Sequence, residues 1–234
     1  MSTPNVTAPW WLRLIIVIVA LALWFWTQHL IGARTPSAGA APVGDTILDH
    51  LAKPNAYLHD NPKAADAVLI FSSAIIDALG VFLLAVSVFG NTLRPFVGLL
   101  LLFGMRQICQ MLCALPAPPG IIWRSPGVPS LLVTYDVAND FFFSGHTGLA
   151  VLGAVELARL GSRRWLLLAV PIAVLESIAV LILRAHYTMD VFTGAIAALY
   201  ATTLSAQWAP ACDRWLAQLS GRDPAPAVTS ESRE

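Results

Sequence analysis

Asn139-Asp140-Phe141-Phe142-Phe143-Ser144-Gly145-His146-Thr147 is answered, 40 residues past its histidine, by Arg184-Ala185-His186-Tyr187-Thr188-Met189-Asp190-Val191. Each stretch sets polar, titratable side chains beside long apolar runs, where a charge is expensive and is kept for a task. Between them lie two apolar runs, 147–160 and 165–183, split by the basic turn Gly161-Ser162-Arg163-Arg164. At about 1.5 Å of rise per helical residue, that length of chain crosses an apolar layer, turns and comes back. His146 and His186 are therefore expected at the same face, on neighbouring helices.

The composition sets the same frame. Hydrophobic residues make up 57% of the 234 and charged residues 12%, and the mean hydropathy is +0.69. A soluble domain carries roughly 25% charge. The chain is read as an all-α, polytopic membrane protein. Its formal net charge is zero and it has no basic run, so nucleic acid is not an expected partner. The basic residues are mostly arginine, with Lys53 and Lys63 the lysines, a bias that suits a GC-rich bacterial genome. Three cysteines are too few for a disulfide framework. Cys109 and Cys113, four apart, are read as small residues filling a bundle.

Six spans are expected. The first is Trp10 to Ile31, with Trp10, Trp11, Trp24 and Trp26 suited to the interfaces. A signal peptide cleaved near Ala38-Gly39-Ala40 is its rival. Residues 1–31 are thus taken as an N-terminal transmembrane helix and 32–63 as an extramembrane loop with one short helix around Thr46–Ala52. His29, His50 and His59 are taken as solvated. Residues 64–209 form a five-helix core with spans at Ala65–Phe89, Pro95–Ala114, Thr147–Leu160, Trp165–Leu183 and Met189–Trp208. Pro210 is expected to end the last span, because proline removes a donor and clashes with the preceding turn. Residues 210–234 are left as a cytoplasmic, partly disordered tail with a short surface helix at Arg214–Ser220. The arginines of the short turns put both termini in the cytoplasm by the positive-inside rule. The site then faces outward, into the periplasm of a bacterial inner membrane.

The residue types at that outer face point to phosphate chemistry. His186 and Asp190 are four apart and stack on one helical face. A carboxylate there can accept one imidazole N–H, which fixes the tautomer and aims the other nitrogen's lone pair outward. A nucleophile is activated in this way. Gly145 lets backbone approach an anion, and amides at a helix start hold phosphate well. Ser144 is placed to cap that helix or to touch the phosphate. Arg106, Arg124 and Arg184 are candidates to neutralise phosphoryl oxygens. Asp77, inside the second span, needs a partner, for which Arg106 is a candidate.

Ser144-Gly145-His146-Thr147 and His186-Tyr187-Thr188-Met189-Asp190-Val191 resemble the last two signature blocks of the sphingomyelin synthases and their relatives, within the type 2 phosphatidic acid phosphatase superfamily. Asp140 stands where those synthases carry an acid. Arg106, followed by Leu115-Pro116-Ala117-Pro118, is similar to their preceding block, and Tyr200-Ala201-Thr202-Thr203 echoes their sixth helix. The likeness spans roughly Pro95 to Thr203. It implies six spans, an active site at the outer leaflet, and neither metal nor cofactor. By the resemblance, His186 attacks phosphorus and forms a phosphohistidine, Asp190 orients it, and His146 protonates the departing lipid oxygen. Arg106, Ser144, Gly145 and Arg184 then hold phosphate, with Asp140, Tyr187, Arg124 and Asp77 in support. Asn55–Pro62 departs from the synthases' proline-rich acidic block.

The expected activity is transfer of a phosphocholine or phosphoethanolamine head group from a glycerophospholipid to a lipid acceptor such as ceramide or diacylglycerol. Hydrolysis with water as acceptor is one alternative. A small transporter using Arg106, Asp77, His186 and Asp190 is an alternative of another class. A zinc site on His146, His186 and Asp190 is a further, weaker one. A homo-oligomer is left open.

Overall fold

A computed structural model describes residues 8–32, 43–113, 115–135, 141–161 and 163–221. Asp140, the Ala38-Gly39-Ala40 stretch and the tail from residue 222 lie outside the described residues. Among the described residues all regular structure is helical: α1 (Trp10–Gly32), α2 (Thr46–His50), α3 (Ala52–Asp60), α4 (Pro62–Phe89), α5 (Arg94–Leu112), α6 (Gly145–Ala158), α7 (Arg163–Ile182) and α8 (Thr188–Leu219).

Local chemistry explains several of the ends. Pro62 and Pro95 sit in the first turns of α4 and α5, where a missing N–H would have gone unpaired anyway. Ser144 caps α6, its Oγ accepting from the Thr147 amide at 3.3 Å. Asp45 caps α2, taking the amides of Ile47 and Leu48. Beyond α5 the run of prolines from Pro116 removes the donors a longer helix would need.

The long helices α1 and α4 to α8 alternate in direction between two ends of a bundle. At one end, Asp213 of α8 accepts from the Leu93 amide at 2.9 Å and the Thr92 hydroxyl at 2.8 Å. It also meets the buried Arg13 of α1 at 3.3 Å, whose guanidinium donates to the carbonyls of Ser87 and Gly90. The same end pairs Arg94 and Arg159 with the buried Glu156 of α6. At the other end lie the start of α6 and the start of α8, and with them both histidines. The outward side chains of α1, α7 and α8 include Ile15, Ile18, Leu23, Leu167, Val174, Phe192 and Ile196. An apolar girdle of this kind is costly in water and at home in lipid.

By length and composition, four helices are apolar enough to cross a membrane: α1, α4, α5 and α8. The remaining two of the six expected are shorter. The apolar part of α7 runs from Leu167 to Ile182, and the 14 residues of α6 rise only about 21 Å. α6 is the central helix, packed by α4, α5, α7 and α8 and buried along nearly its whole length.

Two expectations about element bounds are corrected. The segment before α4 contains a second helix, α3, besides the short one expected. Pro210 does not end α8, which continues to Leu219. The continuation is held by Asp213 and by Leu216 and Ala217, both buried. Tertiary contacts there outweigh the backbone hydrogen bond that proline removes, which with its clash costs about 3 kcal/mol in an isolated helix.

The start of α6 lies hard against α8. A Cβ built on Gly194 would stand 2.6 Å from the Ser144 carbonyl oxygen, a backbone atom that cannot swing aside. Gly194→Ala is expected to lower stability by about 1–3 kcal/mol, read as a drop in melting temperature in detergent. An unchanged melting temperature would show that the two helices have room to part.

Candidate active site

The turn from α7 to α8 is built to stop one helix and aim the next. The Ala185 amide donates to the Val180 carbonyl at 2.9 Å and the Arg184 amide to Leu181 at 3.1 Å. With Arg184 at φ 52°, this is a Schellman motif in which arginine takes the place usual for glycine. A left-handed residue with a Cβ costs about 1–2 kcal/mol. The Arg184 guanidinium offsets it by donating to the carbonyls of Pro119 (2.6 Å) and Leu48 (2.9 Å). Arg184 therefore staples three segments together, and does not line the cavity that His186 faces.

His186 is buried. Its Nδ1 lies 2.8 Å from the Phe141 carbonyl oxygen. A carbonyl only accepts, so Nδ1 carries the proton and Nε2 keeps its lone pair. The expected carboxylate partner stands further off: Nδ1 to Asp190 Oδ2 is 3.7 Å, beyond hydrogen-bond range. That oxygen is engaged elsewhere, accepting from the Tyr187 amide at 2.9 Å as part of the α8 cap. The shared helical face expected from the spacing is not formed, because α8 begins at Thr188 and His186 precedes its cap, Tyr187. The main-chain carbonyl took the hydrogen bond because the two motifs are tied together: the Ser144 amide donates to the Asp190 carbonyl at 3.0 Å. Asp190 is left beside the ring without a hydrogen bond to it.

Across from His186, Arg106 of α5 is buried and donates from Nε to the Phe143 carbonyl at 2.8 Å. Its guanidinium lies over Gly145, where a Cβ would come within 3.1 Å of Nε. The glycine thus makes room for an arginine, besides starting α6. His146 follows, buried, with its ring edge-on to Trp123 at 5.0 Å and 85°. The Trp123 indole is itself pinned to the Thr134 carbonyl at 3.0 Å. No protein group hydrogen-bonds to His146 Nε2.

These three side chains share the walls of one cavity of about 470 Å³. Arg106, His146 and His186 stand at one end, and Leu21, Leu84, Phe96, Leu99 and Leu100 line the rest. A ligand with a charged head and an apolar body fits such walls.

The segment before α4 closes over the α7–α8 turn. Asn55, buried, donates to the carbonyls of Gly120 (3.1 Å) and Ile182 (3.0 Å). His59, expected to be solvated, contacts the same Gly120 oxygen at 3.1 Å. Asp45 reaches across to cap α8 as well as α2, accepting from the Thr188 amide at 2.6 Å and its hydroxyl at 2.8 Å. Burial pushes the Asp45 carboxyl up, but hydrogen bonds from Thr188, Leu48 and Ile47 outweigh it and hold the group below its ordinary value.

The structure brings His146, His186, Asp190, Arg106, Ser144 and Gly145 together, with Tyr187 buried beside them at the α8 cap. It separates the others. Arg124 pairs with Asp66 at 2.7 Å on the surface. The Asp77 carboxylate accepts from the Ser130 hydroxyl and from the amides of Leu131 and Leu132, so it anchors a loop and its partner is not Arg106. Asp45 and Trp123 were not foreseen. Asp45 had a signal, an N-cap residue before a short helix. Trp123, on a loop rich in proline and glycine, had none. Among the described residues no group of three or more His, Cys, Asp or Glu side chains is placed to hold a metal ion.

No curated protein and no solved structure matches the chain. The sequence profile of the AtPDCT1/2 family, phosphatidylcholine:diacylglycerol cholinephosphotransferases, matches residues 47–207. That segment takes in all but the first residue of α2, then α3 to α7, most of α8, and Arg106, Ser144, Gly145, His146, His186 and Asp190; Leu21 of the cavity wall and Asp45 lie before it. With more than half of its length matched, and with the matched half holding both histidines, the chain belongs to the AtPDCT1/2 family.

Proposed function

We propose that the protein exchanges phosphocholine between glycerolipids, taking it from phosphatidylcholine and passing it to diacylglycerol through a phosphohistidine on His186. The observation that carries this reading is the shared cavity: two imidazoles and one arginine at the head of a largely apolar chamber. Of the two expected acceptors, ceramide and diacylglycerol, the family's name supports diacylglycerol.

In the first half-reaction the His186 Nε2 lone pair forms a bond to phosphorus. The bond from phosphorus to the glycerol oxygen breaks, and His146, in its protonated form, gives its proton to that oxygen. Arg106 supports the negative charge on the phosphoryl oxygens. Phe141 holds the Nδ1 proton, and Asp190 stabilises the cationic ring as it develops. In the second half-reaction His146 takes the proton of the acceptor hydroxyl, whose oxygen displaces His186 from phosphorus. Donor and product are both phosphodiesters of a primary alcohol, so the exchange is close to thermoneutral and needs no external energy source. The apolar walls keep water from the phosphoenzyme. In this reading the six long helices all cross the membrane, with both termini cytoplasmic and the site at the periplasmic face.

The test uses purified protein in detergent with choline-labelled phosphatidylcholine and a diacylglycerol of different chain length. Label is expected in phosphatidylcholine carrying the new chains. Label released as free phosphocholine would make the protein a hydrolase, label on added ceramide would restore the sphingolipid acceptor, and no movement of label would end the proposal.

A further inference from the structure

We propose that Trp24 and Gln28 of α1 form a neutral polar subsite that binds the glycerol-ester region of the acceptor lipid. This rests on the phosphocholine-transfer reading for the identity of the acceptor, and on separate observations for the site. α1 lies outside the segment matched to the family, so the resemblance assigns it no part.

Gln28 is only 4% exposed and lines the same cavity as the histidines. Neither its amide oxygen nor its amide nitrogen has a protein hydrogen-bond partner, and the buried indole Nε1 of Trp24, which also lines the cavity, has none either. The two residues are four apart on one helical face. Leaving a buried polar group unpaired is among the costlier faults in a folded protein. Three such atoms on two residues that line one chamber point to a ligand that pairs them. Their neighbours are already occupied: Gln107 donates to the Thr27 hydroxyl at 2.6 Å, and that hydroxyl donates to the carbonyls of Leu23 and Trp24.

Position selects the part of the ligand. Trp24 packs against Phe103 at 5.2 Å, and Thr27 meets Gln107, the residue after Arg106. The unpaired atoms are thus level with the phosphate end of the cavity, while Ala20, Leu21, Leu84 and Phe96 continue towards the opposite end of the bundle. In a glycerolipid the belt between head group and acyl chains is the glycerol with its esters. Chemistry agrees. No charge is offered, so neither an anion nor a cation is selected. Two donor nitrogens suit ester carbonyls, which only accept, and one amide oxygen suits a free hydroxyl. Diacylglycerol carries both kinds of group.

The test is equilibrium binding of dioctanoylglycerol to the full-length protein in detergent, compared with the dialkyl ether analogue, which keeps the hydroxyl and lacks both carbonyls. The wild type is expected to prefer the ester by about tenfold. Gln28→Met should erase most of that preference while leaving the ligand-free melting temperature unchanged or raised, since the amide it removes has no protein partner. Trp24→Phe, which deletes only the indole donor and some ring area, gives the same reading should Gln28→Met fail to fold. Equal affinity of the wild type for ester and ether, or a wild-type preference retained in both variants, would overturn the subsite. The measurement needs no turnover. Ester preference without transfer would therefore defeat the phosphocholine-transfer reading alone, and transfer without ester preference would defeat the subsite alone.

Discussion

His186→Gln is expected to reduce phosphocholine transfer by roughly 10⁴- to 10⁶-fold, the range seen when a covalent nucleophile is removed, and to abolish the phosphoenzyme altogether. Glutamine is close in size, and its amide N–H can still donate to the Phe141 carbonyl that now holds Nδ1 at 2.8 Å. The local fold therefore has no reason to collapse, and the melting temperature should stay near that of the wild type. What disappears is the Nε2 lone pair facing the cavity. The measurement is rapid-quench trapping with phosphatidylcholine labelled on phosphorus, followed by denaturation in base, where phosphohistidine survives and acyl phosphates do not. A labelled phosphoenzyme in His186→Gln, or transfer within tenfold of wild type, would move the nucleophile elsewhere. Asp190→Asn offers a graded companion. Its carboxylate caps α8 and lies 3.7 Å from the ring without hydrogen-bonding to it, so the loss should be smaller than for His186.

His146→Gln is expected to slow transfer from phosphatidylcholine by about 10²- to 10⁴-fold, the usual worth of a positioned acid or base. The loss should depend on the leaving group. A glyceryl alkoxide is a poor leaving group and needs the proton, whereas a nitrophenol ester of phosphocholine leaves without help. Formation of the phosphoenzyme from the nitrophenol ester should therefore be nearly normal in the variant, while its formation from phosphatidylcholine is crippled. Equal slowing with both donors would remove the acid role from His146 and leave it a structural neighbour of Trp123. The geometry favours the first outcome. The ring is held edge-on by Trp123, and no protein group hydrogen-bonds to its Nε2.

Much of this was legible in the chain. Runs of apolar residues and the prolines and glycines between them placed five of the six long helices and the start of the sixth to within a few residues, because hydropathy and backbone permissiveness are local properties; the end of α8 lies well past the expected Trp208. The return of the chain between His146 and His186 followed from length alone. That Ser144, Gly145 and Asp190 lie close to the histidines followed from their closeness in sequence, whereas Arg106 was a candidate on its charge among apolar residues and on the family resemblance.

What spacing could not supply was the partner of each polar group. Arg124 and Arg184 read as phosphate ligands on charge alone, yet one pairs with Asp66 and the other clasps the carbonyls of Pro119 and Leu48. Asp77 read as a partner for Arg106 and instead caps the loop at Ser130. A carbonyl oxygen carries no mark in the sequence, so the Phe141 bond to His186 was invisible, as was the bridge from Asp45 to Thr188 across 143 residues. The sequence by itself determined that this is an all-helical chain rich in apolar helices that gathers two histidines at one end. Only the tertiary structure decided which cations face the cavity, which are spent holding loops, and that the first helix sets a buried, unpaired amide on a residue lining the same chamber. The reason is physical: helices form from neighbours along the chain, whereas a buried polar group takes whichever partner the packing of distant segments brings within about 3 Å.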